Sequence, residues 1–255
     1  MEIETAKQLA LLNTGFYEAQ AAAFSSSRQA AWPGWQTSLA MISAELVAGK
    51  SELAVFDLAC GNLRYATFLR EQLPQVKLDY SGVDNCDSLH ANAIETGASY
   101  QHLDILETLF SGQQLSAAIL APRCDLAVCF GFMHHVPLPE QRQMVLASLI
   151  QQACPGAYVI VTLWQFMRDY SRRDKALAAH EQALQELGLR GLDENDFLLG
   201  WNDLPGVWRY CHSFSDAEVD GLIDVIADAA KLIARFCSDG KTGKLNTYLV
   251  FKTNE

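Results

Sequence analysis

From residue 50 onward, short apolar runs alternate with amphipathic segments. The runs are L-A-V-F-D (53–57), L-D-Y-S-G-V-D (78–84), Y-Q-H-L-D (100–104), C-D-L-A-V-C-F (124–130) and A-Y-V-I-V-T-L-W (157–164). They lack the polar-out alternation of a half-exposed strand, so they predict strands covered on both faces. The segments between them, 63–73, 86–96 and 139–153, fit helices. Buried strands alternating with helices predict a parallel sheet with helices on both sides. Ahead of this region, Leu9, Leu12, Phe16, Ala19 and Ala23 recur at helical spacing and predict a helix reaching about Phe24, and a second is expected over 36–47. Behind it come a predicted helix over 169–187, the runs F-L-L-G-W and V-W-R-Y-C-H-S-F, and a helix over 216–230. The chain closes with two strand-like runs joined by a glycine-containing turn, from Lys231 to Lys252, which predicts an antiparallel hairpin. No repeat or low-complexity linker interrupts the pattern, so one domain is expected: a helical cap over 1–50, an α/β core over 51–164, and an insertion with the closing strands over 165–255.

Composition adds limits. Half of the 255 residues are hydrophobic, enough for a sizeable core. The net charge of -11 argues against broad affinity for nucleic acid, which depends on clustered Lys and Arg. The cluster R-D-Y-S-R-R-D-K from Arg168 to Lys175 reads as a solvated helix face. No run of about 18 apolar residues appears, and M-E-I-E-T-A-K-Q has acids where a signal peptide carries bases, so no membrane association and a cytoplasmic location are expected. The seven cysteines form no C-x-x-C pair and sit mostly inside apolar runs, which predicts buried thiols and no metal site.

The chemistry gathers at the strand ends. In an open α/β sheet, ligands bind outside the carboxyl ends of the strands. The first three strands end in Asp57, Asp84 and Asp104, spaced 27 and 20 residues apart, and the fourth ends in F-G-F-M-H-H-V. One such aspartate is usually a cap or turn former; three in register point to a ligand. The turn D-L-A-C-G-N-L-R after the first strand has a single glycine, Gly61, and lacks the G-x-G-x-x-G that grips a dinucleotide. Asp57 ahead of the turn would repel a pyrophosphate and favour a cationic ligand. One glycine suffices if Ala59 takes ordinary dihedrals and Leu63 already lies in the helix, facing the sheet.

The series D-L-A-C-G-N-L-R, S-G-V-D-N-C-D-S-L, Q-H-L-D-I-L, C-D-L-A-V-C-F-G-F-M-H-H-V and P-G-A-Y-V-I-V-T-L-W resembles the ordered motifs of class I S-adenosylmethionine-dependent methyltransferases over residues 53–164. The resemblance implies a Rossmann-like fold with a mostly parallel seven-stranded sheet, a C-terminal antiparallel hairpin and S-adenosyl-L-methionine as cofactor. It implies that Gly61 and its neighbours Asp57, Ala59 and Asn62 wrap the methionine part, that Asp84 accepts the ribose hydroxyls, that Asp104 with Ile105 holds the adenine, and that Asn85 and Phe130 belong to the same cofactor site. A carboxylate is the natural acceptor for a vicinal diol. The flanking stretches F-S-S-S-R-Q-A-A-W-P-G-W and W-R-Y-C-H-S-F-S-D-A-E-V look like those of the tRNA wobble-uridine carboxymethyl methyltransferases, matching at Phe24, Ser25, Arg28, Trp32 and Pro33 and at Arg209, Tyr210, His212 and Phe214. That likeness implies a tRNA carboxylate as methyl acceptor and, as in the eukaryotic enzymes of this type, a small activator subunit. The acidic composition favours a small-molecule acceptor, and the thinned glycine turn leaves a non-catalytic binding module as a third reading.

Methyl transfer from a sulfonium is an in-line displacement, for which alignment supplies roughly 7–11 kcal/mol. A carboxylate nucleophile is ionised at neutral pH and needs a cation to position it; Arg28 and Arg209 are the candidates. For a hydroxyl or amine acceptor, His135 or His212 is the candidate base. Arg209 reads equally as one partner of a surface salt bridge, one of His134 and His135 as structural, and Trp32 and Trp35 either as a hydrophobic plug or as substrate-facing rings.

Overall fold

The computed structural model describes residues 1–26, 30–88, 97–202 and 204–255. Seven strands form one sheet in the order β3-β2-β1-β4-β5-β9-β8: β1 Glu52–Leu58, β2 Lys77–Asp84, β3 Ser99–His102, β4 Cys124–Cys129, β5 Ala153–Trp164, β8 Ala230–Ser238 and β9 Asn246–Thr253. The first five are mutually parallel, and β9 runs antiparallel to both β5 and β8, so the expected closing hairpin fills the edge. A separate antiparallel pair, β6 (Asp196–Gly200) and β7 (Trp208–His212), is built from the two runs that follow the fifth strand.

The period of two along a strand sends alternate residues into two separate cores. Phe56, Leu58, Ala127, Val159 and Phe251 face one side, covered by α4 (Ile105–Phe110), α6 (Pro139–Gln152) and α8 (Asp216–Val225). Val55, Leu126, Val128, Ile160 and Val250 face the other, covered by α2 (Pro33–Leu46) and α3 (Arg64–Gln72). A short helix α5 (Leu115–Ala118) precedes β4. Among the described residues, no helix is long and apolar enough to cross a membrane.

Local chemistry explains the boundaries. Helix α2 starts at Pro33, earlier than the expected 36, because proline at the first helical position is already preset for the helix and lacks only an orphan N–H. Helix α8 is opened by a reciprocal capping box between Ser215 and Glu218, and it stops at Val225, short of the expected 230. The helix expected over 86–96 lies for the most part outside the described residues.

Two long helices carry the flanks. Helix α1 (Ile3–Ser26) lies against β7, and α7 (Tyr170–Leu187) against β6. Asn13, in the middle of α1, pairs with the backbone of Tyr210 as a neighbouring strand would: its Oδ1 accepts from the Tyr210 N–H at 2.8 Å and its Nδ2 donates to the Tyr210 carbonyl at 3.1 Å. The polar residue on an otherwise apolar stripe is therefore the pin that docks the cap onto the two-stranded sheet.

Candidate active site

A cavity of about 340 Å³ opens at the carboxyl ends of β1, β2 and β4. Its walls include Asp57, Ala59, Gly61, Asn62, Asp84, Asn85, Asp104, Ile105 and Phe130, so all nine residues expected to hold a cofactor meet at one place. The turn that follows β1 departs from expectation. Ala59, Gly61 and Leu63 all adopt the left-handed conformation, with φ of 61°, 53° and 58°. Ala59 does not take ordinary dihedrals, and Leu63 precedes α3 as its cap and is not inside it. The strain is local, about 1–2 kcal/mol for a residue with a Cβ, and burial of Leu63, fully enclosed beside Cys60 and Gly82, offsets it. A Cβ placed on Gly61 meets no protein atom within 4 Å.

Each aspartate has a distinct setting. The Asp84 carboxylate accepts the Gly61 N–H on Oδ2 and the Cys86 N–H on Oδ1, both at 2.9 Å, which binds the turn to the end of β2 and leaves lone pairs on both oxygens. Burial raises its pKa above the usual carboxylate range, opposed by those N–H groups. Asp104 caps α4 through the Glu107 N–H and accepts from Asn85 Nδ2 at 2.9 Å, so it is a helix cap and a cavity wall at once. Asp57 is buried and accepts the Tyr80 hydroxyl at 2.5 Å; burial pushes its pKa up to about 7.

The opposite wall comes from α1, the turn after β4, and β7. Arg209 is buried yet lines the cavity, its Cζ lying 5.1 Å from the Trp201 ring centroid, 5.4 Å from that of Phe16 and 5.5 Å from that of Trp164. Among the described residues it forms no ion pair, and its Nε has no hydrogen-bond partner. The salt-bridge reading of Arg209 is thereby corrected: its neighbours are aromatic faces.

His135 lines the same wall. Its Nδ1 lies 2.9 Å from the Tyr210 carbonyl and 3.1 Å from Asn13 Nδ2, so a donor-only and an acceptor-only group converge on one ring nitrogen. Nε2 shares a hydrogen bond of 2.7 Å with the Tyr17 hydroxyl. His134, His135 and Cys211 bring ligand atoms within 4.8 Å of one another. The Nδ1 of His135 lies 4.0 Å from the Cys211 sulfur, and burial pushes the Cys211 thiol up to about 11.

His212 does not line the cavity. Its Nδ1 meets Asp196 at 2.7 Å and its Nε2 meets Glu218 at 2.8 Å, with Arg142 bridging both carboxylates at 3.6 and 3.4 Å. Burial would raise Glu218, but hydrogen bonds from His212 and Ser215 prevail and hold it down to about 2. This geometry removes His212 as a base for anything in the cavity and makes it a tie between β6, β7 and α8. Arg28 lies outside the described residues.

Both tryptophans line the cavity: Trp35 is buried among Tyr65, Phe68 and Phe130, and Trp32, less buried, stacks on it at 5.2 Å. Sequence reasoning passed over Tyr17 and Arg64, both on the cavity wall. The signal for Arg64 was its place directly after the glycine turn; the signal for Tyr17 was the polar Asn13 one turn earlier on the stripe that docks.

No family model matches the chain, and no curated protein matches it in sequence. Solved structures do. The 1,6-didemethyltoxoflavin-N1-methyltransferase of Burkholderia thailandensis, crystallised with 1,6-didemethyltoxoflavin and S-adenosylhomocysteine, is 14% identical with a TM-score of 0.60 over 98% of this chain and 91% of that one. This chain has the class I methyltransferase fold. An S-adenosylmethionine-dependent methyltransferase of Clostridium acetobutylicum (11% identity, TM-score 0.55, 95% of this chain and 98% of that one) shares it. So does an amino pentose methyltransferase of Micromonospora echinaspora with S-adenosylmethionine bound (13% identity, TM-score 0.54, 91% and 94%).

Proposed function

We propose that this protein is an S-adenosylmethionine-dependent methyltransferase whose acceptor is a carboxylate. The cavity residues fit the donor: Asp84 keeps a lone pair on each oxygen for a vicinal diol, Leu103 and Ile105 supply an apolar wall, and Asp57 favours positive charge. When bound, S-adenosylmethionine supplies a methyl group on a sulfonium, open to in-line displacement. The observation that carries the acceptor class is Arg209, a buried guanidinium with no carboxylate partner among the described residues, facing the cavity from an aromatic box. A buried cation is stable when an anion completes it, and a planar guanidinium orients a carboxylate. Such a nucleophile is ionised at neutral pH, so the Tyr17–His135 pair serves to position it and to exclude water, and no proton need be removed.

Within that class, carboxymethyluridine in tRNA is the acceptor to which the flanking motifs point. A small anionic metabolite is the second reading, favoured by the net charge of -11. Isothermal titration with S-adenosylhomocysteine tests the donor site, and binding lost on Asp84→Ala or Gly61→Val supports it. No binding at millimolar ligand returns the chain to a non-catalytic module. Nucleoside mass spectrometry of tRNA from a deletion strain tests the acceptor: an unchanged set of modified uridines ends the tRNA reading. Co-purification with a small partner tests the activator subunit.

A further inference from the structure

The wall formed by the glycine turn and α2 carries a cation that the preceding assignment does not use. Arg64, the first residue of α3, lines the cavity with its Cζ 5.1 Å from the Trp35 ring centroid and 5.5 Å from that of Trp32. Its one hydrogen bond among the described residues runs from Nη1 to the Ala30 carbonyl at 3.0 Å, and no ion pair is formed. A guanidinium has five donors, so the two indoles and one carbonyl fix its plane while leaving most of its hydrogens unspent. Asp57 stands on the same wall and is close enough for each charge to influence the other, yet it spends its carboxylate on the Tyr80 hydroxyl and does not pair with Arg64. A guanidinium and a carboxyl group that a cationic ligand would ionise, held on one wall without pairing, form a receptor for a zwitterion. An amino-acid tail, with an ammonium and a carboxylate on one carbon, has that pattern. Arg209 belongs to a different set of rings, Phe16, Trp164 and Trp201, so the two guanidiniums address different anions.

We infer that Arg64 is the anchor for the α-carboxylate of the methyl donor's amino-acid tail, an assignment that rests on the donor reading above. Arginine suits the task because its planar fork accepts a carboxylate on two parallel N–H bonds, while the indoles behind it shield the pair from water.

The test needs no methyl acceptor. S-adenosylhomocysteine carries the amino-acid tail and 5′-methylthioadenosine lacks it, so calorimetric titration of both against wild type and Arg64→Gln isolates the tail. The expected result is a loss of about tenfold or more for S-adenosylhomocysteine and less than about twofold for 5′-methylthioadenosine. Arg64→Lys, which keeps the charge without the fork, should fall between wild type and Arg64→Gln for S-adenosylhomocysteine. Equal losses for both ligands would show that Arg64 only props the turn, and unchanged affinity for both would show that it does not touch the tail; either overturns the assignment while leaving the donor site in place. Wild-type protein that binds neither ligand overturns the donor reading and this one together. A thermal midpoint for Arg64→Gln within about two degrees of wild type excludes misfolding as the source of any loss.

Discussion

Ala59 and Leu63 adopt the same strained conformation, and opposite outcomes are expected on relieving it. Ala59→Gly removes one partly buried methyl from a left-handed position and should stabilise the ligand-free protein by up to about 1 kcal/mol. Leu63→Gly relieves the same strain but empties a fully buried site, and the loss of packing, about 2–5 kcal/mol for a buried leucine, prevails. Urea denaturation of the two variants checks the contrast. Asp57 makes a pH prediction. Its folded pKa is raised from 3.8 to about 7 by burial, so the stability it contributes is fully present below the ordinary carboxylate range and is lost as pH rises through about 7. Between pH 5 and pH 8 the ligand-free protein should lose about 2–3 kcal/mol from this group, since each tenfold change in proton affinity is worth about 1.4 kcal/mol. Asp57→Asn should flatten that slope, measured by denaturation at both pH values. A cationic ligand beside Asp57 favours the ionised form, so donor binding should release a proton near neutrality, read as a calorimetric heat that varies with the buffer.

The tie between β6, β7 and α8 sets where the acceptor wall stands. Arg142, Asp196, His212, Glu218 and the Tyr210 hydroxyl form one buried network, and β7 carries both Arg209 and the Tyr210 carbonyl that His135 Nδ1 faces. Removing one charged member leaves the others uncompensated. Arg142→Met should therefore cost about 3–5 kcal/mol in chemical denaturation although Arg142 does not line the cavity. The parallel core of the sheet was readable from doubly apolar runs between helices. The β6–β7 pair was visible only as two apolar runs, because its partner strand and its docking on α1 are long-range choices that no local pattern encodes.

Charge over the entire chain bears on the acceptor. With a net charge of -11, tRNA binding would depend on local basic groups, and affinity should fall steeply with salt, whereas a small carboxylate held by Arg209 should be far less sensitive. Arg209→Gln should lower kcat/KM for the true acceptor by about 10- to 200-fold, the equivalent of about 1.5–3 kcal/mol for a hydrogen bond to a charged group, with S-adenosylhomocysteine affinity unchanged. Isotope-labelled methyl transfer checks this once the acceptor is in hand.

The fold class and the strand-end aspartates were legible in the chain because each rests on short-range rules: periodicity of two or 3.6, turn chemistry, and the carboxyl-end geometry of a parallel sheet; the other residues expected on the donor side rested on the resemblance to a family. The acceptor side was not. Arg209 reads the same in sequence whether it meets an aspartate or three aromatic rings, and His212 reads the same whether it faces a cavity or two carboxylates. Those outcomes depend on which distant residues share a volume, here Phe16, Trp164 and Trp201 around one arginine and Asp196 and Glu218 around one histidine, and packing of remote segments is the one quantity local pattern does not carry.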